Sequence, residues 1–400
     1  MFTLYDKIKL FMPAVLLPLL FIAAGCAQDS ILDDISHEVA PTKPLIKGGP
    51  SKMIKAAEKL YVANGNIFEY DLAGNGHWER SAYEPGGNIK DLAVASGSLY
   101  ALSVFGTELD FRVFQKSGNT WTQLEVDSSD TNGYTVVQSI FGAGDQLFAG
   151  ASKGTSRAIL YKNGNKLLFL TETKEDPDEA LNGVLTGAGV IDNVYYLGTL
   201  GDGILKVTFA PPAAPVITMA TLTNGPASAI PQRIAGFLQP DSNHIIAASR
   251  NGNILYGTKD GFTITSLGGT FTGALTLAWA YDYTGSSPVP GTSQLLLIGI
   301  NGGTSYANHG YREVLFDINS GVVGGHKNPG GDDPTSIAKN GNYGSTLERY
   351  PVTSICALEH SINNDPDSDP IMFASTPKEG LYSYRNRSSG GWQWNHEEKN

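Results

Sequence analysis

Seven short apolar runs set the pattern of this chain: Leu60–Ala63, Leu99–Leu102, Leu147–Gly150, Tyr195–Gly198, Ile245–Ala248, Leu296–Gly299 and Ile371–Ala374. Each places two or three large apolar residues before a mostly small one. Their second positions, from Tyr61 to Met372, are 39, 48, 48, 50, 51 and 75 residues apart. Self-similarity at such a period marks a repeat architecture, in which no unit buries its apolar face alone.

The runs sit in a recurring context. Upstream lies another apolar stretch, as at Ile89–Val94, Val136–Phe141, Ile234–Phe237, Ala274–Ala278 and Val352–Leu358, weaker at Lys52–Ala56 and Gly183–Ala188. Downstream comes a third stretch, often opened by glycine, as in Gly65–Tyr70, Gly203–Val207, Gly252–Tyr256 and Gly380–Tyr384. A fourth, shorter and more polar, follows at His77–Trp78, Trp121–Leu124, Lys166–Leu170, Pro215–Met219, Phe262–Thr265 and Trp392–Trp394. Asn163-Gly164, Asn251-Gly252 and Asp260-Gly261 stand between stretches, and such pairs supply the positive φ of tight hairpins.

Four antiparallel strands per unit predict an all-β protein: a β-propeller of about seven four-stranded blades over residues 51–397. Six or eight blades stay open on the pattern alone. The second strand is expected to be covered on both faces by neighbouring blades. Ala63, Gly150, Gly198, Ala248, Gly299 and Ala374 then mark where adjacent sheets come close. The first strand begins near Met53 and the last ends near Trp394, which predicts a ring closed without strand exchange. A strand at residues 42–47 is the alternative. The sixth unit is long, with loops at Ser286–Pro290 and Gly302–Tyr311 and an insertion at 324–350 after it.

Composition agrees with this reading. Among 400 residues, 47 are glycine and 17% are charged, which suits strands and tight turns better than helices. The net charge of -11 leaves no basic footprint for nucleic acid, so no nucleic-acid partner is expected. It offers no attraction to anionic lipid either, so membrane attachment has to come from another feature.

The first residues supply one. Lys7 and Lys9 precede an apolar run from Leu10 to Ala24, ending in Ala23-Ala24-Gly25-Cys26. A charged start, an apolar core and small residues at the end describe a secretory signal over residues 1–25. The cysteine after Ala-Ala-Gly resembles a bacterial lipobox. Ala23 in place of the usual Leu makes it similar to the relaxed lipobox of spirochaete lipoproteins. That resemblance implies cleavage before Cys26 and acylation of its thiol, with palmitate among the acyl groups, and of its new amine. Two or three acyl chains anchor a protein stably where one does not. Ordinary signal-peptidase cleavage, leaving Cys26 free or paired, is the alternative. Residues 26–50, with Asp29, Asp33, Asp34, Glu38 and several Pro and Gly, read as a flexible tether. The second cysteine, Cys356, lies in an apolar run and reads as a small buried hydrophobe.

Candidate chemistry is sparse. Asp365, Asp367 and Asp369 alternate in a turn of the seventh unit and could cage calcium, a hard ion that takes oxygen ligands. A solvated acidic turn competes with that reading. Lys116–Trp121 and Ser388–Trp392 resemble worn Asp-box turns of sialidase-like propellers, with Lys116 in place of the Asp. The seven histidines are scattered, and Gly252–Lys259 fails as a phosphate loop because Thr258 separates Gly257 from Lys259. The aromatics Tyr70, Trp78, Trp121, Tyr161, Trp392 and Trp394 either pack blade on blade or line a sugar- or peptide-binding surface, packing being the favoured use.

The function expected is therefore a non-enzymatic, lipid-anchored module of the cell envelope, extracytoplasmic, that binds a protein or another envelope or host ligand. A propeller hydrolase or dehydrogenase acting on sugars or peptides is one alternative. A structural subunit of an envelope assembly is the other.

Overall fold

A computed structural model describes residues 46–397 except 47, 73–76, 107–109, 174–184, 211–212, 225–232, 267–272, 281–293, 302–308, 328–346, 348–349, 359–369, 378 and 388–390. Residues Pro44–Glu397 make one compact unit. It is built of seven sheets, each with four antiparallel strands that follow one another in sequence order, one of them carrying a fifth strand at its outer edge.

Each predicted apolar run is the second strand of a sheet: Lys59–Asn64, Ser98–Phe105, Gln146–Lys153, Val194–Thr199, Ile245–Ser249, Gln294–Asn301 and Pro370–Thr376. The seven sheets are the blades of a propeller, numbered 1 to 7 along the chain. First strands of successive blades, such as Asn88–Ala95 and Val136–Ala143, lie beside one another around the axis.

The physical reason the second strands are so apolar is visible in the core. It divides into seven clusters, one at each junction between adjacent blades. In blade 1, Tyr61 and Ala63 pack toward blade 2, while Leu60 and Val62 pack toward blade 7. Alternate side chains of one strand thus serve two interfaces, because successive strand residues point to opposite faces. Fully burying one such Leu or Val contributes about 1.5–3 kcal/mol.

The small residues mark close approach, as expected. A Cβ on Gly198 would stand 2.8 Å from the Phe237 ring of blade 5, and one on Gly299 would stand 2.6 Å from the Val352 carbonyl oxygen leading into blade 7.

Five blades carry a β-bulge between first and second strands, at equivalent places. In blade 2, Ile89 opposes Ser103 and Asp91 opposes Leu102, so Lys90 is the extra, unpaired residue. Bulges re-aim side chains next to sites.

Three details depart from the sequence expectation. Blade 5 gains a fifth strand, Leu222–Asn224, which pairs in parallel with the outer strand Gly261–Ser266. It is too short and polar to register as a periodic stretch. The fourth strand of blade 6 runs from Val322 to Lys327, so the insertion expected at 324–350 begins only after it. Leu347 is fully buried between blades 6 and 7.

The third concerns ring closure. The expected tether, residues 26–50, ends inside the fold. Ile46 is fully buried in the blade 7–blade 1 cluster with Leu60, Phe373 and Leu381. Gly48 forms a parallel bridge with Glu379, in the hairpin between the second and third strands of blade 7. Elsewhere in the ring, too, a connection between blades is bonded to the preceding blade's hairpin. Arg233 N–H bonds the Leu200 carbonyl at 2.8 Å, and Gly310 N–H bonds the Tyr350 carbonyl at 2.9 Å. The leading segment therefore occupies the place of a blade-to-blade connection. All four strands of blade 7 are consecutive, so the ring closes without strand exchange.

Candidate functional site

Antiparallel strands alternate ends, so the hairpins between second and third strands share one face with the connections between blades. On that face a concave pocket of about 410 Å³ opens between blades 1 and 2. Its wall is built from the tight hairpin Asn64-Gly65-Asn66, the first strand of blade 2 from Asn88 to Lys90, Phe68, and Gly49 of the leading segment.

The hairpin geometry places the amides. Gly65 turns the chain at φ 76°, in the left-handed region that glycine adopts without strain. Asn64 and Asn66 are directly paired across the turn, so their side chains share a face. Gly65 and Ile89 exchange two backbone hydrogen bonds of 3.0 Å, which fix the hairpin to blade 2. Asn88 precedes this bridge, and the bulge turns Lys90 out of the ladder. Among the described residues, the side chains of Asn64, Asn66, Asn88 and Lys90 make no hydrogen bond or ion pair. No carboxylate, histidine or cysteine is among the described residues of the lining.

Beside the pocket, the bulge also aims Asp91 into the next interface. Asp91 Oδ2 accepts the Ile140 N–H of blade 3 at 2.9 Å, and Oδ1 accepts the Leu92 N–H at 2.9 Å. Lys52, from the leading segment, stands 3.0 Å from Asp91 Oδ2 and donates to the Ile140 carbonyl. Its Nζ lies 3.5 Å from the centre of the Phe141 ring. Burial pushes the Lys52 ammonium below the usual lysine range, opposed by the Asp91 carboxylate. This cluster ties the leading segment to blades 2 and 3. It was not apparent in the sequence, although a carboxylate inside an otherwise apolar first strand was a signal for it.

On the opposite face, His244 Nδ1 approaches Asp241 at 2.8 Å and its ring stacks on Tyr256 at 5.4 Å. Among the described residues, no three His, Cys, Asp or Glu side chains converge to hold a metal.

The sequence-predicted residues fall as follows. Cys26 and the acidic turn Asp365, Asp367 and Asp369 lie outside the described residues. Cys356 is half-buried beside the blade 7–blade 1 cluster, and burial pushes its thiol up to about 12. That suits the role of a small hydrophobe. Tyr70 and Trp78 pack edge-on against Phe373 of blade 7, at 5.0 and 5.3 Å between ring centres. Trp394 packs on Tyr311 of blade 6 at 5.7 Å. These aromatics join blade to blade. The Lys116–Trp121 turn sits at the blade 1–blade 2 junction, with Lys116 6.0 Å from the Tyr61 ring centre.

Among solved structures, the WD40 β-propeller domain of Doa1 matches with a TM-score of 0.48 and 9% identity, covering 86% of this chain and 94% of that one. The extracellular domain of BT4673 from B. thetaiotaomicron matches with a TM-score of 0.47 and 16% identity over 86% of this chain; the chain spans 39% of that longer one. The computationally designed protein Ika8 matches with a TM-score of 0.43 and 10% identity, over 86% of this chain and 99% of that one. None of the curated proteins matches the chain. A family model described as the TP013X lipoprotein family matches residues 8–156, short of half the chain. From residue 8 to the third blade, the chain is similar to a lipoprotein family.

Proposed function

We propose that this protein is a lipid-anchored, extracytoplasmic propeller of the cell envelope that works as a binding module, with the pocket between blades 1 and 2 as its ligand seat. The observation that carries the reading is the set of unpartnered polar side chains around the pocket. Polar side chains in a concavity that make no bond within the fold are open to a ligand that displaces the water around them. The lipoprotein-like match supports the anchor and spans both Cys26 and every described residue of the pocket wall. An acylated Cys26 would hold the chain at a membrane, and residues 27–45 would link it to the propeller.

Capture from the native envelope tests the reading, with the full-length protein compared against an Asn64→Ala/Asn88→Ala variant of unchanged stability. A ligand retained by the wild type and lost by the variant supports it. Equal retention by both would move binding elsewhere on the propeller and overturn the pocket's role.

A further inference from the structure

We infer that the ligand of this pocket is a hydroxyl-rich saccharide, and that Lys90 favours members carrying a carboxylate; the inference rests on the binding reading above. Its warrant is the chemistry of the wall. Asn64, Asn66 and Asn88 each present a carbonyl acceptor beside an NH₂ donor. Neighbouring sugar hydroxyls are also both donors and acceptors, so a row of amides satisfies them in pairs without burying charge. None of the three amides is spent on the protein's own hydrogen bonds among the described residues.

Other ligand classes fit less well. A peptide that adds a strand needs free backbone groups at a sheet edge. Here Gly65 and Ile89 already satisfy each other through two bonds of 3.0 Å. Phosphate recognition draws on several cations or a helix N-terminus, and Lys90 is the one cation among the described residues of the wall. An apolar ligand needs apolar walls, yet Phe68 and Ile89 are 8% and 1% exposed and offer little surface. The volume of about 410 Å³ lies within the range of about 300–1,000 Å³ typical of small-molecule sites. Lys90 stands exposed beside the amides, where its ammonium can reach a carboxylate on the ligand.

The test uses the full chain in a polyoxyethylene detergent, which carries no sugar, on an array of defined oligosaccharides in matched neutral and carboxylate-bearing pairs. The expected result is retention of at least one pair, with the carboxylate member bound severalfold more tightly. Asn64→Ala, Asn66→Ala and Asn88→Ala should each weaken binding by about five- to tenfold. Lys90→Gln should remove the preference for the carboxylate and leave neutral binding in place. Because these side chains support no internal bond, all four variants should melt with the wild type. Binding that survives all the substitutions would overturn the inference. So would an array that retains nothing while envelope capture still depends on the pocket, a result that spares the binding reading. Failure of both array and capture would overturn both.

Discussion

Gly380 is pressed against the leading segment: a Cβ placed on it would stand 2.4 Å from the carbonyl oxygen of Ile46. Its φ of 88° also lies in the left-handed region, where a side chain is strained. Closure of the ring depends on this contact, because Ile46 fills the last of the seven interfaces while its backbone crosses the blade 7 hairpin.

Substituting Gly380 with Ala should therefore cost more than the φ strain alone. Gly97, with φ 70° and open space for 4 Å around the Cβ that an alanine would add, isolates that strain. Gly97→Ala should lose about 1 kcal/mol, and Gly380→Ala about 2–4 kcal/mol. Denaturant midpoints measure both. Limited proteolysis should cut the Gly380 variant first around residues 46–50. Equal losses would mean that the leading segment does not close the ring.

The cluster of Lys52 and Asp91 makes a second prediction. Asp91→Asn leaves the half-buried Lys52 ammonium without its carboxylate and should destabilise by about 2–4 kcal/mol. Replacing both, as Lys52→Met with Asp91→Asn, should cost less than the sum of the two single changes, since no charge is then left unpaired and the amide oxygen still accepts a backbone N–H. Additive losses in the cycle would show that the two do not interact.

The pH dependence of Lys52 has a definite sign. Its folded-state value lies below 10.5, the value of the unfolded chain. Between the two, the unfolded chain holds more protons, so this group makes stability rise with pH in that window below 10.5. Subtracting the Lys52→Met profile from the wild type should isolate the rise. A difference that falls with pH there would contradict the burial of Lys52.

Cys356 should be a protonated, slow thiol near neutral pH, since burial pushes it up to about 12. In a Cys26→Ala chain, a thiol reagent at pH 8 should modify it slowly in the native protein and fast in denaturant. Fast native modification would remove it from the interior.

Much of the fold was legible because a strand covered on both faces must be apolar along its whole length. Leu60–Ala63 and Leu147–Gly150 stand out for that reason. The leading segment did not, because its contribution is one Ile followed by Lys, two Gly and a Pro, composition that reads as linker. The pocket was hidden for a related reason. Asn64-Gly65-Asn66 is turn chemistry wherever it occurs, and nothing in its spacing tells that the amides face a cavity. Lys90 reads as one polar residue in a strand, and only the register shift between Ile89 and Asp91 shows that it leaves the ladder. The proposed anchor, by contrast, rests on the sequence, where its signal is a string of residue sizes before Cys26.

The most direct test of a lipid-anchored propeller is metabolic labelling with radioactive palmitate in a host that processes lipoproteins. The wild type should carry label and partition with membranes, and Cys26→Ala should carry none and appear in the soluble extracytoplasmic fraction. Equal labelling of the two chains, or an unlabelled wild type, would contradict the account.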